Sequence, residues 1–539
     1  METGEYDYVV VGAGSAGCVL ANRLSADGRN KVLLLEAGPK DNYVWIHIPI
    51  GYGKTMFHPR YNWGFYTDPE PNMHGRKIYW PRGRGLGGSS SINGLIFIRG
   101  QSDDYDRWAQ LGNPGWDWNS VLPYFIKSEH NSRGASAVHG GDGPLWSSDI
   151  EEKSELMEAI IRGAEELGVS RIEDFNDGNQ EGVGYYQLFT HNGWRISAAV
   201  AYLKPARSRE NLHIETNAHA TGLVLEGKRA VGVRYRQNGA MRMARAAREV
   251  ILSAGSLQSP QLLQLSGIGP ADLLKKNGID VVHELKGVGQ NLQDHLQFRL
   301  MFRVSKPITT NDDLRSLFSQ ARIGLQWLFA GTGPLGIGIN QGGLFTRIMP
   351  GSKTPDIQFH FGTLSADQAG GKPHTWPGCT FSVCQLRPES RGSVEIKSAD
   401  PMEPPSMRPN YLSAETDRIC AVASIKYARK LATTDALKPY LVSEYKPGAG
   451  VRTDEEILEF ARENGATIFH PAGTCKMGSD PMAVTDARLR VRDIAGLRVV
   501  DCSIMPTLIS GNTHAPAVMI AEKASDMILE DRKADLKAA

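Results

Sequence analysis

The sequence predicts an α/β protein: a Rossmann-like dinucleotide-binding domain joined to a second domain on a largely antiparallel sheet flanked by helices. Three observations carry this reading. The N-terminus runs as strand, glycine turn, helix, strand and acid. A middle stretch from about 300 to 460 holds strand-like segments and proline-rich turns. The last segment returns to strand and helix.

The first strand is Tyr6 to Val11, and it leads into Gly12-Ala13-Gly14-Ser15-Ala16-Gly17. The apolar run Cys18, Val19, Leu20, Ala21 starts a helix, and Lys31 to Leu35 forms a second strand that ends at Glu36. In such a unit the first glycine permits the tight turn and the second lets a pyrophosphate approach the backbone. The third lets helix and strand pack closely, and the acid accepts ribose hydroxyls. A glycine- and serine-rich loop, Gly83 to Gly94, runs into Leu95-Ile96-Phe97-Ile98, which should be buried. Residues 154 to 168 read as an amphipathic helix, with Leu156, Ile160, Ala164 and Leu167 on one face and Gly168 as its stop. Leu212 to Thr216, Gly222 to Leu225, Val231 to Tyr235 and Glu249 to Ser253 alternate like paired strands. A helix follows at Pro260 to Leu265 and stops at Ser266-Gly267. Ile357 to Phe361, Thr380 to Leu386 and Gly392 to Ile396 are the middle strands, with turns at Pro401 to Pro409. Leu497 to Asp501 is a strand, and Pro516 to Leu529 a helix with proline in its first turn.

At 539 residues the chain is too long for one core. Its formal net charge of +1 gives no global field for nucleic acid or an anionic membrane. The basic run Arg242 to Arg248 reads as a solvated feature that precedes a strand. The six cysteines form neither a Cys-x-x-Cys pair nor a metal-like cluster, so a reducing compartment and no metal are expected. The chain has no basic-then-apolar leader and no apolar run of membrane-spanning length. A cytoplasmic protein, or one peripheral to a membrane, is expected.

Two further segments suit chemistry. One is His470-Pro471-Ala472-Gly473-Thr474-Cys475-Lys476-Met477-Gly478. The other is Ser510-Gly511-Asn512-Thr513-His514-Ala515-Pro516, just before the last helix. Loops held on a scaffold are where reactive side chains concentrate. With the N-terminal fingerprint and the Gly83 to Asn93 loop, these segments give the chain a resemblance to the glucose–methanol–choline (GMC) oxidoreductases. Gly255 to Pro260, Ser266 to Gly269, Gly287-Val288-Gly289 and Asn291 to His295 extend the resemblance over essentially the whole chain. The branch that contains choline dehydrogenase and FAD-dependent alcohol dehydrogenases looks nearest.

The resemblance implies FAD as cofactor and oxidation of a primary alcohol to an aldehyde. His470 matches the family's base, and a neutral imidazole suits that task. Asn512 matches the second catalytic position, a hydrogen-bond donor to the developing alkoxide. His514 departs from the asparagine usual there. It either is silent, or joins the helix N-terminus in stabilising charge on the flavin, or replaces Asn512 as partner of His470. Ile92 stands where some relatives bind flavin covalently through histidine, so FAD is expected to be noncovalent. The implied cofactor contacts are Gly12, Gly14, Ser15, Ala16, Gly17, Glu36, Ala37, Arg84, Gly87, Ser91, Asn93, Gly94, Ala220, Ala254, Asp501, Cys502, Asn512, Thr513 and Pro516. His295 reads as structural. His47, His58, His74, His360 and His374 lack motif support, and any of them is free to line the substrate path.

The expected organisation alternates. Residues 1–150, 206–300 and 465–539 make the FAD part, and 151–205 and 301–464 the substrate part. Beside alcohol dehydrogenase stand an oxygen-using oxidase that releases hydrogen peroxide, a hydroxynitrile lyase-like enzyme on the same scaffold, and a nicotinamide-dependent enzyme. The electron acceptor (oxygen, a quinone or an artificial dye), the particular alcohol and any homo-oligomer stay open.

Overall fold

The computed structural model describes residues 2–368 and 370–538. Two seven-stranded sheets organise them. In the first, strands Leu212–Glu215, Val32–Leu35, Glu2–Val11 and Ala240–Leu252 lie side by side in parallel. Leu497–Val499 also joins Ala240–Leu252 in parallel, at Val250 to Leu252. Arg229–Gln237 and Ala218–Glu226 extend the sheet as an antiparallel meander. Val9, Val10 and the whole of Val32–Leu35 are buried, as befits parallel strands covered on both faces. Helix Ser15–Leu24 crosses between the first two strands. Its entry turn needs glycine: Gly12 has φ +99°, and a Cβ on Gly17 would lie 1.8 Å from the Gly12 carbonyl oxygen.

The second sheet is antiparallel throughout. Its order is Leu441–Lys446, Leu296–Val304, Gly378–Gln385, Ile357–Gly362, Asn340–Thr346 and Gly182–Tyr185, with Ala466–Thr467 beside Leu296–Val304. Helix Glu415–Ala432 packs on Gly378–Gln385 and Leu296–Val304, and helix Glu155–Glu166 packs beside it. Strand side chains alternate between faces. Phe298, Leu300, Phe381 and Val383 are buried core residues, whereas Gln297, Arg299, Thr380 and Ser382 face a cavity.

Four details differ from the sequence reading. The basic run Arg242 to Arg248 lies inside the long strand Ala240–Leu252, where Arg248 pairs with Asp7 and Arg245 with Glu226. The strand lies between Glu2–Val11 and Arg229–Gln237, and its arginines recur at every third position, 242, 245 and 248, not at the alternate positions that mark a strand. The segment near Gly392 joins a separate two-stranded sheet, Ser393–Glu395 with Ser406–Arg408. Leu296–Val304 belongs to the second sheet although it begins before the expected border at 300. The last helix starts at His514 and runs to Ala538, longer than Pro516 to Leu529. Among the described residues no helix is long and apolar enough to cross a membrane.

Gly17→Ala should destabilise the protein by about 1–3 kcal/mol, because its methyl must displace backbone. Urea unfolding measures this, and an unchanged midpoint would contradict so close a contact between helix and turn.

Candidate active site

The two sheets and the start of the last helix wall one long cavity. Of the residues singled out from sequence, Gly12, Gly14, Ser15, Ala16, Glu36, Ala37, Asn93, Gly94, Ala220, Ala254, Asp501, Cys502, Asn512, Thr513, His470 and His514 line it. Gly17, Arg84, Gly87, Ser91 and Pro516 do not. They stand one layer behind and hold the wall. Gly87 N–H donates to Ala13 O at 2.8 Å, and Ser91 Oγ to Leu86 O at 2.8 Å. The Arg84 guanidinium lies 4.9 Å from the Trp63 ring centre. Composition marks a special loop but not which of its residues face inward.

The cavity suits a dinucleotide. Helix Ser15–Leu24 opens on it with no side-chain cap, so its first N–H groups are free for phosphate. A Cβ on Gly14 would meet open space. The hydroxyls of Ser253 and Ser256 are buried in the wall without partners. Glu36 is held by N–H groups of Ala13 at 2.9 Å, Gly38 at 2.7 Å and Gly85 at 2.9 Å. Those bonds tie the glycine turn to the Gly83–Gly94 loop and fix the carboxylate at the cavity edge. Burial pushes its pKa up against them. Arg195, fully buried, donates to Asn93 Oδ1 at 2.6 Å and turns the Asn93 amide nitrogen toward the cavity.

At the other side His470 is built from three contacts. Its backbone N–H donates to Asp294 at 2.7 Å. Thr467 and Tyr411 also donate to Asp294, whose carboxyl burial raises to about 6. Its ring Nδ1 lies 3.0 Å from His295 Nδ1, and Asn512 Nδ2 lies 3.4 Å from Nε2. The proton positions follow from the partners. His295 Nε2 sits 2.9 Å from the Leu386 carbonyl oxygen, which can only accept. His295 is neutral, because burial pushes its pKa down to about 4. Its Nδ1 therefore accepts, and His470 Nδ1–H donates to it. That leaves the lone pair of His470 Nε2 facing Asn512 and the cavity. Burial, then the neighbouring His295 and His360, holds His470 well below the ordinary histidine range. Asn512 is oriented in turn: its Oδ1 accepts from Gln358 Nε2 at 3.1 Å, so its amide N–H groups point at His470.

His295 thus is not merely structural. It fixes which nitrogen of His470 is basic. Its place in the Asn291–His295 stretch was the available signal, but its carbonyl partner lies 91 positions away. Of the unassigned histidines, His360 lines the cavity beside Asn512, whereas His47, His58, His74 and His374 do not. His514 bonds Ser15 Oγ at 2.9 Å through Nδ1, and its Nε2 is buried without a partner. Asn512, not His514, reaches His470. All six cysteines are free, and among the described residues no group is placed to hold a metal ion.

A dinucleotide cradle that ends at a neutral, oriented histidine defines an oxidoreductase of the nucleotide-cofactor class. Models of the N- and C-terminal parts of GMC oxidoreductases match residues 6–297 and 388–521, and the chain belongs to that family. It is 45% identical to mitochondrial choline dehydrogenase of Mus musculus over 98% of this chain and 91% of that one. It is 43% identical to an alcohol dehydrogenase [acceptor] of Pseudomonas putida over 98% and 96%. The fold superposes on a variant of Aspergillus oryzae formate oxidase, solved to study its FAD modification, with TM-score 0.93, 26% identity and 99% of both chains covered. The cofactor of this family is FAD, and the cradle above fits it.

His295→Leu should lower the rate of the chemical step about 10- to 100-fold by releasing the other tautomer of His470. His295→Gln, whose amide can accept from His470 and donate to Leu386 O, should recover part of that loss. Equal rates in the two variants would remove the tautomer role.

Proposed function

We propose that the protein oxidises a primary alcohol to an aldehyde, with His470 as base and Asn512 as hydrogen-bonding partner. The observation that carries this is the free lone pair on His470 Nε2, aimed into the cavity beside the Asn512 amide. FAD, when bound, supplies the acceptor for the hydride that leaves the carbinol carbon. The chain's own part is proton management. His470 Nε2 takes the hydroxyl proton, and Asn512 Nδ2–H stabilises the oxygen as charge develops. His295 and Leu386 O receive the imidazolium dipole from behind. His514, with the first N–H groups of the last helix, faces the cofactor end through its spare nitrogen. The substrate lies against the second sheet, so the substrate part takes in 151–205 and 301–464 with the sheet residues that flank the latter, Leu296–Val304 and Ala466–Thr467.

FAD is held without a covalent bond. Ile92 lines the cavity where a nucleophilic side chain would be needed. The relatives' names include acceptor-dependent and oxygen-dependent dehydrogenases. We favour a dehydrogenase that passes electrons to an acceptor other than oxygen.

Primary alcohols added without oxygen should bleach the visible flavin band, and His470→Ala should slow bleaching by roughly 10²- to 10⁴-fold. Failure of every alcohol to bleach it would defeat the proposal. Admission of air then sorts oxidase from dehydrogenase by the speed of recolouring. Because His470 must be neutral and its pKa is held down, kcat/KM should stay flat as pH falls to about 6.5 and drop only below. A fall that begins above neutrality would contradict a buried, neutral base. Acid denaturation should release the flavin into the supernatant; a yellow pellet would show a covalent bond.

A further inference from the structure

The cavity continues past His470 onto the face of the second sheet. Strand Leu296–Val304 presents Gln297 and Arg299 there, Gly378–Gln385 presents Thr380 and Ser382, and Ile357–Gly362 presents His360. Ser382 is paired with Arg299 on one side and with His360 on the other. The three form one row across the sheet, which puts the backbones of His360 and Arg299 about 10 Å apart. His360 is the end of the row beside Asn512 and His470. Arg299 is the far end.

Arg299 carries a charge without an acidic partner. Among the described residues its single hydrogen bond runs from Nη2 to Ala366 O at 3.1 Å. Among the described residues it makes no ion pair. The nearest acid, Asp367, is largely exposed and pairs with His374 Nε2 at 3.3 Å. Lys446 adds a second positive charge nearby. Burial lowers Arg299 only to about 10, so it stays protonated at neutral pH. A guanidinium has five donors in a planar fork, and a buried one is costly unless paired.

The opposite charge is missing from this end. Among the described residues the only carboxylates in the cavity wall are Glu36 and Asp501. Both are tied to backbone N–H groups at the cofactor end, Asp501 by those of Gly255 and Ser503. Aromatic rings at the substrate end are Tyr52 and Phe469, whereas Trp63 belongs with Arg84 and His219. A quaternary ammonium calls for a carboxylate or an aromatic cage, and the substrate end has neither.

We propose that Arg299 is a specificity residue that binds a carboxylate at the end of the substrate remote from the carbinol. The substrate class is then a medium-chain hydroxy acid with a terminal hydroxyl, not a cationic alcohol. This rests on the alcohol-oxidation reading above. The carboxylate accepts from the guanidinium fork, the methylene chain crosses the row past Ser382, and the carbinol reaches His470.

The test uses FAD-loaded enzyme and two readouts. The first is binding of hexanoate, which cannot be oxidised, followed by the perturbation of the flavin band. Arg299→Met should weaken hexanoate roughly 10- to 100-fold, and Arg299→Lys, which keeps charge but loses the fork, by less. The second is anaerobic bleaching by ω-hydroxyhexanoate, hexanol and choline. Wild type should prefer ω-hydroxyhexanoate, and in Arg299→Met its advantage over hexanol should collapse by the same factor. Equal hexanoate binding in wild type and both variants, or a wild-type preference for choline, would overturn the proposal. Arg299-dependent hexanoate binding without bleaching by any alcohol would support this subsite while defeating the alcohol-oxidation reading. Bleaching by hexanol and ω-hydroxyhexanoate alike would do the reverse.

Discussion

Everything in the site depends on two helices lying side by side. Ser15–Leu24 and His514–Ala538 come from opposite ends of the chain and are joined by a part-buried ion pair. Arg23 clasps Glu522 with bonds of 2.7 to 3.0 Å, and Tyr202 donates to the same carboxylate at 2.9 Å. The Glu522 side chain is fully buried. Lys127 Nζ adds a second cation 3.3 Å from the same carboxylate. Because the helices are clamped there, their N-termini open on one cavity. Ser15 then touches His514, 499 positions away. The glycine turn at Gly12–Gly17 and the loop at Ser510–His514 share a wall for this reason.

Within that wall the dominant effect is desolvation. His295, His360 and His514 are pushed to about 4, 4 and 3, and His470 is lowered as well. Burial comes first among the causes for all four. A cluster of imidazoles in water would share protons near neutral pH. Here none carries charge, so each ring has one donor and one acceptor nitrogen. Acceptor-only partners such as Leu386 O then settle which is which. Geometry and dryness leave the lone pair of His470 Nε2 free, and among the described residues no carboxylate pairs with its ring.

The local parts of this design were legible in the sequence. The turn from Gly12 to Gly17 and the segments at His470 and Asn512 place their residues through nearest neighbours, so a linear reading suffices. The helix at 154–168 follows from periodicity, and strand Val32–Leu35 from a short unbroken apolar run. What escaped was non-local. His295 takes its role from Leu386, just past the end of strand Gly378–Gln385. Arg195 acts by gripping Asn93, 102 positions away. Gly87, Ser91 and Arg84 sit in the right loop but on its outer layer, a distinction that only packing makes. Gln297 and Arg299 left a faint trace, polar residues at alternate positions in an apolar strand, which reads equally as a solvent face until the second sheet is assembled.

Two arginines, Arg82 and Arg299, line the cavity and a third, Arg195, lies behind Asn93, and their donor use differs. Arg195 commits its fork to Ser90 O, Pro49 O and Asn93 Oδ1. Arg82 commits two donors to Pro81 O and Phe469 O. Both hold loops that carry site residues by giving donors to carbonyl and amide oxygens, and among the described residues neither makes an ion pair. Arg299 gives one donor to Ala366 O and keeps four. A fold that needed only a brace for one carbonyl would be served by a neutral donor without the desolvation cost of a cation. The cofactor cradle and the histidine pair do not involve this position. Charge on that face of the second sheet can therefore change substrate preference while the chemistry stays constant, which is how one scaffold serves different alcohols.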